Sequence, residues 1–217
     1  MSPLTIAPRD ADEQPQVTRL AAAIRKTLIV SSNHAYNALY DIAGQCFLNK
    51  VMWDAGLKEV RLNHRLSVVL SAEENRVTPL WRGEHDGSRI GAAETRCAMD
   101  LSNSVSRRLD VGRAYRDGAT LVMTPMNFTS KNHMGIDALH KLLLLLVHPD
   151  ARHGLRPFPL RPPHREALLD ALRTMPHESQ WPQWSRKRFD PYRFKPFLRG
   201  LERVRPLASL RVTSKAG

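Results

Sequence analysis

Three short segments of this chain carry side chains suited to chemistry on a phosphorylated sugar. Thr78-Pro-Leu-Trp-Arg-Gly-Glu84 contains an Arg–Gly pair, Asn127-Phe-Thr-Ser-Lys-Asn132 holds a serine shortly after an aromatic residue, and His164-Arg-Glu-Ala-Leu-Leu169 places a glutamate before an apolar stretch. An arginine at a strand end grips phosphate through its rigid, always-charged fork, and a following glycine lets backbone approach a ligand. A small hydroxyl suffices to orient a neighbouring group. A carboxylate lowers the barrier to a positive charge developing at a sugar carbon. Taken singly, each residue has a plainer reading. Arg82 is then a surface charge, Ser130 a turn hydroxyl and Glu166 an exposed residue in the first turn of a helix. His148, Asp150 and His153 have a spacing that could serve a metal, but the glycine and prolines around them read as a solvated turn, and no metal is expected. The chain has no Gly-rich phosphate loop, no Gly-x-Ser-x-Gly elbow and no His-Glu-x-x-His helix.

In this order the three segments resemble the arginine, serine and glutamate motifs of the mono-ADP-ribosyltransferases of bacterial-toxin type. The resemblance extends over roughly residues 33–170, and its specific part is the three motifs. It implies that NAD is the substrate, that Arg82, Gly83, Phe128 and Ser130 hold it, and that Glu166 stabilises the transition state. ADP-ribose then passes to a protein side chain and nicotinamide leaves. Phe158, in the proline-rich loop before the glutamate, and His164 become candidates for contact with the acceptor. The chain departs from the family pattern at Lys131-Asn132, where later Thr and Ser are usual, and at His164, where arginine-modifying relatives carry a second glutamate. Such departures either change the acceptor or mark an inactive enzyme. The resemblance also implies an effector or toxin, made in the cytoplasm and secreted into a host cell by a non-Sec route.

The elements that must position these residues follow from periodicity. Val17 to Ile29 has the 3.6-residue rhythm of an amphipathic helix, and Ser32 to Ala55 reads as a second, capped by Ser32 or Asn33 and stopped by Gly56. Its buried face is expected to hold Ala35, Leu39, Ile42, Ala43, Cys46, Phe47 and Met52. Leu62 to Glu74 reads as helix, with a strand over Ser67–Leu70 as the alternative. Val77 to Arg82 is β-branched and aromatic, as a strand is, with Gly83 at its end. Ile90 to Leu109 returns to helical texture. Thr120–Met123, Met126–Ser130 and Lys141–His148 read as strands. Leu155 to Pro163 is a proline-rich loop, and His164 to Met175 is helical, although its first part fits a strand end equally well. Helices followed by strands predict an α+β fold; the resemblance implies N-terminal helices packed on a split, mostly antiparallel β core of ADP-ribosyltransferase type.

Composition bounds the rest. The 217 residues suit one domain over residues 17–217, preceded by a polar, disordered leader over residues 1–16 that lacks the pattern of a Sec signal. The longest apolar run, Leu142 to Val147, is far below the roughly 20 residues of a membrane span. The two cysteines, Cys46 and Cys97, are expected to be reduced, buried thiols. A net charge of +12 favours anionic partners. Ser185 to Lys215 gathers ten of the 33 Lys and Arg residues, interleaved with aromatic ones, so the competing function is a basic module that binds nucleic acid or protein without catalysis.

Overall fold

The computed structural model describes residues 3–8, 14–103, 109–150 and 154–185. The basic C-terminal segment therefore lies outside the described residues, as does His153. The helices among them are α1 (Leu20–Val30), α2 (Asn33–Ala43), α3 (Gln45–Asp54), α4 (Ala72–Arg76), α5 (Ile136–Val147) and α6 (Pro162–Arg173). The strands are β1 (Leu4–Ile6), β2 (Gln16–Thr18), β3 (Val77–Thr78), β4 (Trp81–His85), β5 (Ser88–Ala92), β6 (Thr95–Arg96), β7 (Asp110–Val111), β8 (Tyr115–Asp117), β9 (Thr120–Val122) and β10 (Met126–Asn127). All the strand pairs among the described residues are antiparallel, and the fold is mixed α+β. No helix among the described residues is long and apolar enough to cross a membrane. The chain divides into two compact units, one gathering the described parts of Met1–Leu39, Leu80–Ala93 and Leu160–Gly217, the other Tyr40–Pro79 and Glu94–Pro159.

In the first unit a four-stranded sheet runs in the order β2-β1-β4-β5. The expected disordered leader is corrected here, because it supplies β1. Leu4 and Ile6, each 2% exposed, alternate with exposed Thr5, the period of a half-buried strand compressed into three residues. The hairpin β4–β5 turns at Asp86 and Gly87, whose φ angles of 50° and 76° are those of a two-residue type I′ turn. This turn and Gly91 defeat the helix expected from Ile90. A Cβ at Gly91 would stand 2.5 Å from the Trp81 carbonyl oxygen across the ladder, so the position is fitted to strand pairing. Beside the sheet sequence, α1 and α6 join through Ile29, Val30 and Ala171, with Leu28 and Trp184 against them. Arg25 fixes their pairing by donating to the Asp170 carboxylate at 2.9 Å and to the Trp181 carbonyl at 2.7 Å.

The second unit departs further from the sequence reading. The single helix expected over Ser32–Ala55 breaks at Gly44, whose φ of 82° is left-handed and whose missing side chain admits Thr78; a Cβ there would meet Thr78 Oγ1 at 2.6 Å. The buried face is also differently phased. Asp41, Gln45 and Asn49 point inward, while Phe47 is 60% exposed.

The helix expected over Leu62–Glu74 is replaced by irregular chain that bends at residues 66–68, where Ser67 has a φ of 55°, so the alternative strand over Ser67–Leu70 does not form either and only α4 follows at its end. Asparagine side chains accept the amide protons of residues 62–65 and hold this chain in its irregular course. The Leu62 N–H donates to Asn49 Oδ1, the Asn63 and His64 N–H groups to Asn132 Oδ1, and the Arg65 N–H to Asn75 Oδ1.

The strand expected over Lys141–His148 is the C-terminal part of α5. Its Asp137–Lys141 pair, 2.5 Å apart, has helical spacing, and Ala138 and Leu145 are buried. The apolar centre of this unit is Leu57, Val60 and Ala138, with Met52, Leu62, Met134, Leu142, Leu155 and Phe158 packed on it. The expectation of reduced thiols is corrected too: Cys46 and Cys97 form a disulfide with Cα atoms 5.2 Å apart. Their separation of 51 residues gave no hint of closeness, because the approach is set by α3 meeting the chain after β6.

Candidate functional site

The three motif residues fall on unlike elements. Arg82 sits within β4, opposite Gly91 of β5 and Thr5 of β1, with its side chain exposed. Gly83 is inside the strand rather than at its end, paired with Ile90, and what approaches it closely is the side chain of Leu4. Packing of β1 on β4 therefore explains this glycine without a ligand. Glu166 and His164 are exposed on α6, so the helical alternative for this segment is the one that forms. Pro162 and Pro163 open that helix, where their missing N–H groups cost nothing. Glu166 and Arg82 belong to the first unit but share no hydrogen bond or ion pair among the described residues.

Phe128 and Ser130 belong to the second unit. The strand expected over Met126–Ser130 stops at Asn127, whose Oδ1 accepts the Thr129 N–H at 3.0 Å and turns the chain. Phe158 is partly buried on the Leu57–Val60–Ala138 cluster, which makes it a packing residue of that centre.

Ser130 and Lys131 do line a cavity, an open cleft of about 360 Å³ in the second unit, together with Gln45, Asn63, His64 and Arg65. Arg65 anchors one wall. Only 2% exposed, it donates through Nε to Asp41 Oδ1 at 2.6 Å and through Nη2 to the Val77 carbonyl at 2.8 Å, with its guanidinium 4.9 Å from the Tyr40 ring centre. Its charge is thus compensated inside the protein. His64 is committed as well: Nδ1 donates to the Arg65 carbonyl at 2.7 Å, and Nε2 accepts the Asn132 N–H at 3.3 Å. These two contacts assign the neutral tautomer with its proton on Nδ1.

Two amides are half-committed. Gln45 Nε2 donates to the Asn63 carbonyl at 2.7 Å, and Asn63 Nδ2 donates to the Lys131 carbonyl at 3.0 Å. A carbonyl can only accept, so each amide's orientation is fixed with its nitrogen toward the protein. The opposite atoms, Gln45 Oε1 and Asn63 Oδ1, are buried and have no partner, although the residues are only 4% and 9% exposed. On another wall, Leu101 and Ser102 follow Asp100, whose carboxyl is held below its usual range chiefly by the backbone N–H of Ser102 and then by its hydroxyl.

The motif reading missed Gln45 and Asn63. A usable signal was present in the spacing of Asp41, Gln45 and Asn49, three polar residues four apart on a stretch otherwise read as apolar. Comparison with known families, curated proteins and solved structures gives no match to this chain.

Proposed function

We propose that the second unit binds a small polar ligand whose N–H or O–H groups enter the cavity. The observation that carries this reading is one cleft lined by the polar side chains of Gln45, Asn63, His64, Ser130 and Lys131, with the unpartnered oxygens Gln45 Oε1 and Asn63 Oδ1 enclosed behind that lining. Leaving such an acceptor unmet costs about 1–3 kcal/mol, so a small turn of either amide toward the cleft, where a ligand N–H or O–H meets it, recovers part of that cost. The volume of about 360 Å³ falls in the range of small-molecule sites, roughly 300–1,000 Å³. With Arg65 matched by Asp41, the cavity favours neutral donors such as a carboxamide or sugar hydroxyls, and the Lys131 ammonium can receive one anionic group.

A second, more specific reading takes that ligand to be NAD and the activity to be mono-ADP-ribosyl transfer to a protein side chain, on a fold of ADP-ribosyltransferase type. Its support is the sequence resemblance together with the place of Ser130 in the cavity lining. In this reading Ser130 orients the substrate in the cavity, while Arg82 and Glu166, to which the resemblance gives the phosphate and the oxocarbenium ion, belong to the first unit. An attached basic segment would help draw in an anionic partner.

One titration tests both. NAD is added to ¹⁵N-labelled protein while the side-chain amide signals of Gln45 and Asn63 are followed and nicotinamide release is measured. Shifts at both amides, with an affinity at least tenfold lower in Gln45→Met as followed at the remaining Asn63 amide, support the cavity as the binding site. Release that disappears in Glu166→Ala supports the transferase. Binding without release removes the transferase and keeps the binding unit. If neither NAD nor nicotinamide moves the two amides, the transferase reading falls and the donor-ligand reading loses its leading probes.

A further inference from the structure

We infer that the Cys46–Cys97 disulfide is a redox latch on the cavity, a regulation that rests on the reading of that cavity as the ligand site. Its two ends stand next to two different walls. Cys46 directly follows Gln45, which carries one of the unpartnered oxygens, and Cys97 begins the stretch that leads to Leu101 and Ser102. That second wall, residues 97–103, belongs to no helix or strand. Besides the disulfide it is held at its start by the Cys97 N–H, which donates to the Arg76 carbonyl at 2.9 Å. Arg76 Nη1 returns the contact to the carbonyls of Cys97 and Met99, at 2.9 and 2.8 Å. At its far end Asn103 bonds to the 128–131 turn: its N–H donates to the Thr129 carbonyl at 2.8 Å, and its Nδ2 to the carbonyls of Phe128 and Lys131. The disulfide is the covalent tie between the α3 wall and this one. Neither cysteine belongs to the Leu57–Val60–Ala138 cluster, so opening the bond loosens the cavity before it touches the apolar centre.

The chemistry is thiol–disulfide exchange with a dithiol reductant, of protein or small-molecule class. Cys97 is 3% exposed and Cys46 partly exposed, so Cys46 is the end at which a reductant thiolate attacks. Attack there forms a mixed disulfide with Cys46 and expels Cys97 as thiolate. The reductant's second thiol then displaces Cys46, leaving as a disulfide itself. Two electrons enter the chain, and both cysteine sulfurs take up protons. An oxidising surrounding reverses the sequence and closes the latch, so ligand binding is coupled to the redox state of the compartment.

The test compares oxidised protein, protein reduced with dithiothreitol, and the Cys46→Ser/Cys97→Ser variant, by hydrogen exchange and by NAD titration. The expected result is at least tenfold faster exchange of the Cys97 and Asn103 amides in both thiol-free and reduced forms, with the Leu139 and His148 amides of α5 unchanged. NAD affinity then falls at least tenfold. Exchange rates that stay the same at 97–103 overturn the latch, as does equal NAD binding by oxidised and reduced protein. Simultaneous loss of protection along α5 also overturns it, because the bond is then a staple of the whole unit. If NAD binds neither form while 97–103 still responds, the latch stands and NAD is removed as the ligand.

Discussion

Both units have an apolar cluster, but the second adds to its own a buried polar network. Where α1 meets α6 the buried residues are Ile29, Val30 and Ala171, and any apolar side chain of the right volume could serve there. In the second unit one of the most enclosed large side chains is Arg65, joined to Asp41, Asn75 and the Val77 carbonyl, with Tyr40, Gln45 and Asn49 close by in the sequence of contacts. An apolar centre loses stability in proportion to what is removed. A polar one depends on every member being satisfied, since a group left alone at low dielectric costs its whole desolvation. The polar network of the second unit is therefore its more exacting part, and the cavity is bordered by two of its members, Gln45 and Asn63, each with one acceptor unmatched.

The sharpest way to break this contrast is to remove one partner of the buried ion pair. Asp41→Ala leaves the Arg65 guanidinium enclosed without a counter-charge and should cost about 3–5 kcal/mol. In the first unit Ile29→Val should cost only about 0.5–1.5 kcal/mol. Denaturant unfolding followed by circular dichroism measures both. Adding Arg65→Met to Asp41→Leu should return much of the loss, because both charges then go together. Equal costs for Asp41→Ala and Ile29→Val would show that the arginine network is peripheral to stability.

Two glycines make a second pair. Gly44 and Gly87 have nearly the same left-handed φ, 82° and 76°, but a Cβ at Gly44 would stand 2.6 Å from Thr78 Oγ1, whereas nothing lies within 4 Å of one at Gly87. Gly87→Ala therefore carries only backbone strain, about 1 kcal/mol. Gly44→Ala adds a clash between α3 and β3 and should cost about 2–3 kcal/mol. The same substitution shifts Gln45, the next residue, so a cavity ligand should bind more weakly to Gly44→Ala and unchanged to Gly87→Ala. Thermal melts and a NAD titration on the two variants separate strain from fit.

The same contrast explains how much of the molecule its sequence reveals. The apolar rhythm of Leu20, Ala23, Ile24 and Leu28 locates α1, and Gly56, with φ 98°, stops the chain after α3 as expected. The α+β class follows from such signals. Local turn chemistry was also present, in Asp86-Gly87, which outweighs the helical texture read from Ile90 onward, and in Asp117-Gly118, which precedes the strand read at Thr120–Met123. The unbroken run Leu142–Val147 has no period, so strand and helix could not be told apart there; length and the Asp137–Lys141 spacing favour helix. The candidate cavity was legible only at Ser130. Asn49, Asn63, Asn75 and Asn132 look like surface residues in a list of types, and their inward roles depend on backbone groups that come from distant parts of the chain. Polar burial leaves no periodic trace, whereas apolar burial does.

The smallest effect concerns how that network is entered. The five residues of α4 are too few to hold as a helix by propensity, yet they place Asn75, whose Oδ1 accepts the Arg65 N–H and whose Nδ2 donates to the carbonyls of Leu70 and Ser71. Their start is fixed by a capping box: Ser71 Oγ accepts the Glu74 N–H at 3.2 Å, and the Glu74 carboxylate accepts the Ser71 N–H at 2.6 Å. Ser71→Ala removes the first of these bonds and should cost about 1 kcal/mol. Because Asn75 is one turn further along, the loss should appear as faster exchange of the Arg65 amide, with the Ile29 and Val30 amides of the first unit unaffected. If Ser71→Ala leaves the Arg65 amide unchanged, Asn75 is held by the arginine network itself and α4 follows it, which reverses the direction in which this centre is assembled.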